Sequence, residues 1–220
     1  MTFQRARSEE QRQIRRRAIL DAATAMLDEM PVADVTLNEL SRRVGLAKSN
    51  VLRYFDSREA VLLELLDDFL GEWIATLERE MAEIRPGDAL EARAARLADV
   101  LSRTLAERPV LCGLFGAQGS VLERNVSVEV VKRHKRASLR RLDAMTALVR
   151  GRMPEIGDNS QQFCLTVLVS AGALSGYVPP PPSLLAAYAE EPELGVLHVE
   201  LPQALRAAFT AQLLGVLPRS

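Results

Sequence analysis

The chain has 220 residues, 48% of them apolar, with 28 basic against 29 acidic side chains and a net charge of −1. That length and apolar share describe a chain with a sizeable buried core and exclude intrinsic disorder. Two cysteines, Cys112 and Cys164, are too few for a disulfide framework. The start MTFQRARSEEQR lacks the apolar stretch of a secretory signal, so the cytoplasm is the expected compartment.

Ala, Leu, Arg and Glu dominate, and alternating β-branched runs are scarce, which predicts an all-α fold. A first helix runs over about 8–29, with Ile14, Ala18, Ala22, Ala25 and Met26 on one face, and Pro31 stops it. Six arginines (Arg5, Arg7, Arg12, Arg15, Arg16 and Arg17) crowd its start, suiting either a phosphate-holding arm or a solubilising tail. Thr36-Leu37-Asn38-Glu39 forms a capping box that opens a short second helix over about 36–43. Gly45 permits a tight turn, and a third short helix follows over about 47–53. Ser57 caps a long fourth helix reaching about Ile84, before Pro86-Gly87. Helices over about 88–108, from Pro109, and over about 121–151 come next. Asp158 to Val178 is the eighth, followed by a short helix near 183–190 and a last one over about 202–216.

The charge is unevenly spread. Residues 1–58 carry a net +3, 59–100 a net −7, 123–152 a net +6 and 153–220 a net −4. The run Lys132-Arg133-His134-Lys135-Arg136 reads most simply as a solvated basic helix face. Ser160 to Ala189 contains no charge, but its apolar part, Phe163 to Val178, is shorter than the ~20 residues of a membrane span, so no membrane partner is expected.

The second and third helices around Gly45 make a helix-turn-helix, with Leu40, Val44, Leu46 and Val51 filling the junction. Such a junction holds the second helix where it can enter a major groove ~12 Å wide. Its outward residues are suited to base edges. Lys48 can donate to guanine O6 and N7, Asn50 can pair with adenine N6 and N7, and Arg53 can reach a base or a phosphate.

The runs RRAILDAATAMLDEMPVADVTLNELSRRVG and GLAKSNVLRYFDSREAVLLEL resemble the TetR family of bacterial transcription regulators, over about residues 12–66. The resemblance implies a three-helix DNA-binding domain over 1–56 and a larger helical ligand-binding and dimerisation domain over 57–220, joined by the fourth helix. It places Thr36 against a phosphate and Lys48, Ser49 and Asn50 toward the groove. It makes Tyr54 a phosphate contact, Phe55 core, and Arg58 a backbone contact in place of the usual Lys. Three positions depart from the family pattern. Pro31 replaces a Gly, Leu52 replaces a Tyr and could meet a thymine methyl, and Ala47 replaces a capping Ser or Thr. The segment ERNVS, Glu123 to Ser127, resembles one subgroup of TetR ligand domains.

No G-x-S-x-G, Walker loop or H-E-x-x-H is present, so no catalytic residue is expected. Cys112, Cys164, His134 and His198 match no zinc spacing, and neither a metal nor a cofactor is expected. Phe69, Trp73, Phe115, Gln118, Phe163 and Tyr177 are candidates for lining an apolar effector pocket, with ordinary core packing as the alternative. Gly172 and Gly176 on the uncharged eighth helix, with Leu205 and Phe209 on the last, suggest a four-helix seam between two subunits; intramolecular packing is the alternative. The expected function is a ligand-responsive repressor that binds a palindromic operator as a homodimer. The alternatives are an activator, and a helical small-molecule-binding or enzyme-like protein whose helix-turn-helix is structural.

Overall fold

Helix α1 (Thr2–Glu29) turns an inward stripe of Ile19, Leu20, Ala23, Met26 and Leu27 to the core. The structure, a computed structural model, describes residues 2–218, with side chains from residue 9 onward. Ile14 is 61% exposed, and Ala18 and Ala25 are also outside, so the expected apolar face is rotated. Arg16 holds the inward position one turn before Ile19 and Leu20, an arginine where periodicity calls for a hydrophobe.

Helix α2 (Leu37–Arg43) begins at the N-cap Thr36, whose Oγ1 accepts from the Glu39 N–H at 3.2 Å. Only half of the expected capping box forms, because the Glu39 carboxylate turns to Arg42 and Arg43 instead of the Thr36 N–H. Gly45 adopts φ +65°, the left-handed turn that a Cβ would strain. Helix α3 (Lys48–Val51) follows, and its N-cap Ala47 makes no side-chain cap. Leu40 and Val51 are fully buried at the junction, and Phe55 is buried beyond them.

Helix α4 (Arg58–Glu80) continues into a short 3-10 turn, Met81–Glu83. Helices α5 (Leu90–Ala106) and α6 (Pro109–Ala117) follow, then a single π turn over Gln118–Leu122. Helix α7 (Val128–Arg152) starts later than the sequence suggests, because Ser127 Oγ caps it by accepting from the Val130 N–H at 3.4 Å. Helices α8 (Ser160–Ser175), α9 (Pro182–Glu190) and α10 (Leu201–Val216) complete the chain, and no strand occurs among the described residues. The all-helical expectation holds.

The chain divides into two compact units. One comprises residues up to 69 with 117–138; the other comprises 70–116 with 139 onward. In the first, α1 packs on α2 and α2 on α3. In the second, α10 packs across α5 and α8, burying Leu201, Leu205, Phe209 and Leu213. Arg93 is buried there and donates to Glu155 and to the Arg152 carbonyl, so its charge is matched. No helix of the described residues is long and apolar enough to cross a membrane.

Candidate nucleic-acid interface

The recognition surface begins with the groups that lock it in place. The Arg16 guanidinium donates to the Tyr54 carbonyl and to the Glu64 carboxylate, and lies 4.2 Å from the centre of the Phe55 ring. One arginine therefore ties α1 to the end of α3 and the start of α4, through charge-assisted bonds and a cation–π contact. Arg43 donates to Glu29 at 2.6 Å and to Glu39 at 2.9 Å, joining the end of α1 to α2. The hydrogen bonds from Arg42 and then Arg43 hold the Glu39 carboxyl at about 2, well below its ordinary range. Asp56 accepts from Ser127 Oγ at 3.0 Å, which links the α3–α4 junction to the start of α7 within the same unit.

Against that scaffold the side chains of Lys48, Ser49, Asn50 and Arg53 are all exposed, and none is hydrogen-bonded to another described residue. Leu52 is exposed beside them. Buried Val51 anchors the helix from behind, so α3 presents a polar outer face and an apolar inner one. That outer face offers ammonium, amide and guanidinium donors at positions free to meet base edges or phosphates.

The other expected contacts divide. Thr36 is exposed and works as a helix cap, and Tyr54 is half-buried. Arg58 is not free: it donates to the Ala33 and Val35 carbonyls and pairs with Glu59 at 3.3 Å. Its Nη1 thereby ties the start of α4 to the loop before α2. In the basic arm Arg16 is structural and Arg17 pairs with Asp21 at 2.9 Å, leaving Arg12 and Arg15 exposed. The Arg5 and Arg7 side chains lie outside the described residues. Arg16 and Arg43 could have been found only by noticing a charge at an inward helical position, since composition alone marks both as surface.

His134 departs from the solvated face expected of its run. It is buried, not solvated, within the basic run. Its Nε2 lies 3.1 Å from the Gln118 amide and 3.5 Å from Glu123, and its Nδ1 has no partner. Burial outweighs the pull of Glu123 and lowers its pKa below the ordinary 6.5. Burial alone would raise Glu123, but hydrogen bonds from Lys135 and Gln118 bring its carboxyl below the usual range. The sequence run hid this because its four cations imply a wholly wet face.

The model described as "Tetracyclin repressor-like, C-terminal domain" matches residues 67–220, and that described as "Bacterial regulatory proteins, tetR family" matches residues 19–65. The chain belongs to the TetR family. It is a transcription regulator with a helix-turn-helix, not an enzyme. The regulator EthR of Mycobacterium tuberculosis is 38% identical over 55 residues, 25% of this chain and 26% of its own length. RutR of Escherichia coli is 29% identical over 77 residues, 35% of this chain and 36% of its own. The matches thus span about a quarter to a third of these relatives. Among solved structures, the Thermus thermophilus repressor FadR in complex with lauroyl-CoA superposes with TM-score 0.60 at 16% identity, covering 93% of this chain and 96% of its own. Bacillus subtilis FadR in complex with stearoyl-CoA gives TM-score 0.52 at 13% identity, over 91% and 98%. At such identities the likeness establishes the shared fold.

In this TetR-family regulator the expected pocket residues go to different fates. Trp73 is fully buried and its Nε1 donates to Thr104 Oγ1 at 2.9 Å; Phe163 is buried as well. Both fill the core. Phe115 is half-buried beside Gly172, and Tyr177 is 64% exposed. Phe69 is half-buried, and Gln118 is engaged with Glu123 and His134. The second unit instead presents an open groove of about 630 Å³, lined by Asp143, Thr146, Ala147, Arg150, Asp158 and Gln161.

The expected seam also needs correction. A Cβ on Gly172 would lie 2.7 Å from the Gly116 nitrogen, so Gly172 serves the close approach of α6 and α8 within one chain. Leu205 and Phe209 are fully buried in the same unit, and only Gly176 is exposed. The outward face of α8 carries Leu165 (43% exposed) and Val169 (63% exposed) instead. Cys112 and Cys164 are buried free thiols, each pushed up to about 12 by desolvation.

Proposed function

We propose that this regulator is a cytoplasmic repressor that binds a palindromic operator as a homodimer and releases it when a small molecule binds the larger domain. The observation that carries the DNA reading is the unpartnered row Lys48, Ser49, Asn50 and Arg53, held out by buried Val51 and Phe55. One short helix reaches few bases, so specificity calls for two copies, with recognition helices set roughly 34 Å or a multiple apart. The apolar outward face of α8, Leu165 and Val169, supports pairing of two chains. Effector binding would shift α4 and change the spacing of the two recognition helices. Coupling of ~1–3 kcal/mol would alter operator affinity about 5–150-fold. Because the fold is shared with proteins crystallised with lauroyl-CoA and stearoyl-CoA, acyl-CoA thioesters are the first effectors to try.

A gel shift with DNA from upstream of the chain's own gene tests this reading. The expected result is retention of that duplex at roughly 10 nM protein, against a scrambled duplex requiring at least about 10³-fold more. Equal retention of both would make the helix-turn-helix structural. A reporter behind the bound site should fall when the protein is present and recover with effector. A rise would make the protein an activator.

A further inference from the structure

The segment between α8 and α10 has no cover of its own. Helix α9 contains no buried residue, and neither does the 3-10 turn Pro192–Leu197 against which it packs. The arm is nonetheless internally organised: the Tyr188 and His198 rings meet edge-on at 5.8 Å, and His198 lies 3.0 Å from Glu200. Outside that contact it displays Leu184, Leu185, Val196 (86% exposed) and Leu197. A nine-residue helix with no buried residue is not stable alone in water, and so many apolar side chains in one short segment mark a surface that docks.

Two features identify what it docks on. The arm joins α10 to α8, the helix that carries the outward Leu165 and Val169. Its charge is one-signed, with Glu190, Glu191, Glu193 and Glu200 and no Lys or Arg over 176–200. The same unit carries the opposite charge on α7, where residues 139–152 hold Arg140, Arg141, Arg150 and Arg152 against Asp143 alone. Beside that strip lies the groove of Asp143, Thr146, Ala147, Arg150, Asp158 and Gln161, so the cations available to an acidic arm are exposed Arg140 and Arg150 on its α7 side, against the two carboxylates Asp143 and Asp158. Exposed Leu139 is one turn from Asp143 on α7, and Leu165 is one turn from Gln161 on α8.

We propose that the arm 177–199 of one copy crosses onto the α7–α8 groove of a second copy, with Leu184 and Leu185 on its apolar edge and the three glutamates Glu190, Glu191 and Glu193 facing Arg140 and Arg150. This rests on the homodimer reading above and names a second contact beyond the α8 face. Twofold symmetry applies the exchange twice, so each chain both gives an arm and receives one.

A charge-swap pair tests it on the full-length chain. Glu190→Arg/Glu191→Arg/Glu193→Arg forms one variant and Arg140→Glu/Arg150→Glu the other, each checked for native helical circular dichroism. Each variant alone should dimerise at least about tenfold more weakly by sedimentation, and an equimolar mixture should recover as a heterodimer. Leu184→Glu/Leu185→Glu should weaken dimerisation without rescue by either partner. Native dimerisation by both charge variants, or a mixture that fails to recover, overturns the arm exchange. If Leu165→Glu/Val169→Glu abolishes the dimer while the arm variants leave it intact, the homodimer stands and the exchange does not. A native chain monomeric at every concentration defeats both.

Discussion

Helices α3 and α8 each leave one face without an intramolecular partner, and the two faces have opposite chemistry. On α3 the outer positions are Lys48, Ser49 and Asn50, with Arg53 just beyond; on α8 they are Leu165 and Val169. A polar free face on a rigidly anchored short helix meets another polar surface such as DNA. An apolar one meets protein. The inner faces differ as well. α3 is anchored by one buried valine and by Arg16 clamping the chain that follows, whereas α8 approaches α6 so closely that Gly172 has no room for a methyl group. One surface is built to be presented, the other is a core helix with a sticky back.

Substitutions can sharpen that contrast. The largest expected effect is Gly172→Ala, which places a Cβ 2.7 Å from backbone and should cost about 3 kcal/mol in thermal or urea unfolding. Self-association of the fraction still folded should be unchanged, and a selective loss of dimer would restore Gly172 to the subunit seam. Next is Arg16→Ala, which removes the clamp on Tyr54 and Glu64 and should destabilise the first unit by about 2 kcal/mol. It should also weaken operator binding, although Arg16 itself reads no base; a purely electrostatic loss with stability intact would make Arg16 a phosphate contact. Thr36→Ala removes one N-cap and should cost about 1 kcal/mol, measurable by denaturant titration.

The smallest effect is the pH dependence of His134. Its folded pKa is depressed by burial, so its neutral form is favoured in the native chain. The unfolded chain takes up the proton first. This contribution to stability is therefore complete above the ordinary 6.5 and is lost as pH falls from there to the lower native value. Glu123, Lys135 and Asp67 are the charged groups acting on it, with Glu123 and Asp67 opposing the depression and Lys135 reinforcing it. His134→Gln should flatten the fall in stability as pH drops below the ordinary 6.5; an unchanged slope would show that the ring is not held neutral.

The contrast also explains what could be read beforehand. The helix-turn-helix was legible because Thr36, Gly45 and the junction hydrophobes have fixed physical roles within a dozen residues. The polar face of α3 followed from that geometry. On α8 every residue is uncharged, so nothing along the helix distinguishes the side facing its own core from the side facing outward. Of the two readings open for α8 and α10, Gly172, Leu205 and Phe209 follow intramolecular packing. The partners of Arg16, Arg58 and His134 were hidden for the converse reason. Each is a charged or titratable residue with a local partner, such as the Tyr54 and Val35 carbonyls or Gln118, that lies too far along the chain to be seen.

The most direct measurement is the affinity of Lys48→Ala and Asn50→Ala for the operator and for a scrambled duplex of equal length at one salt concentration. Base reading by α3 predicts that each substitution lowers the preference for the operator by ~1–3 kcal/mol, roughly 5–150-fold, while binding to the scrambled duplex changes little. An equal loss on both duplexes, or none on either, would contradict it.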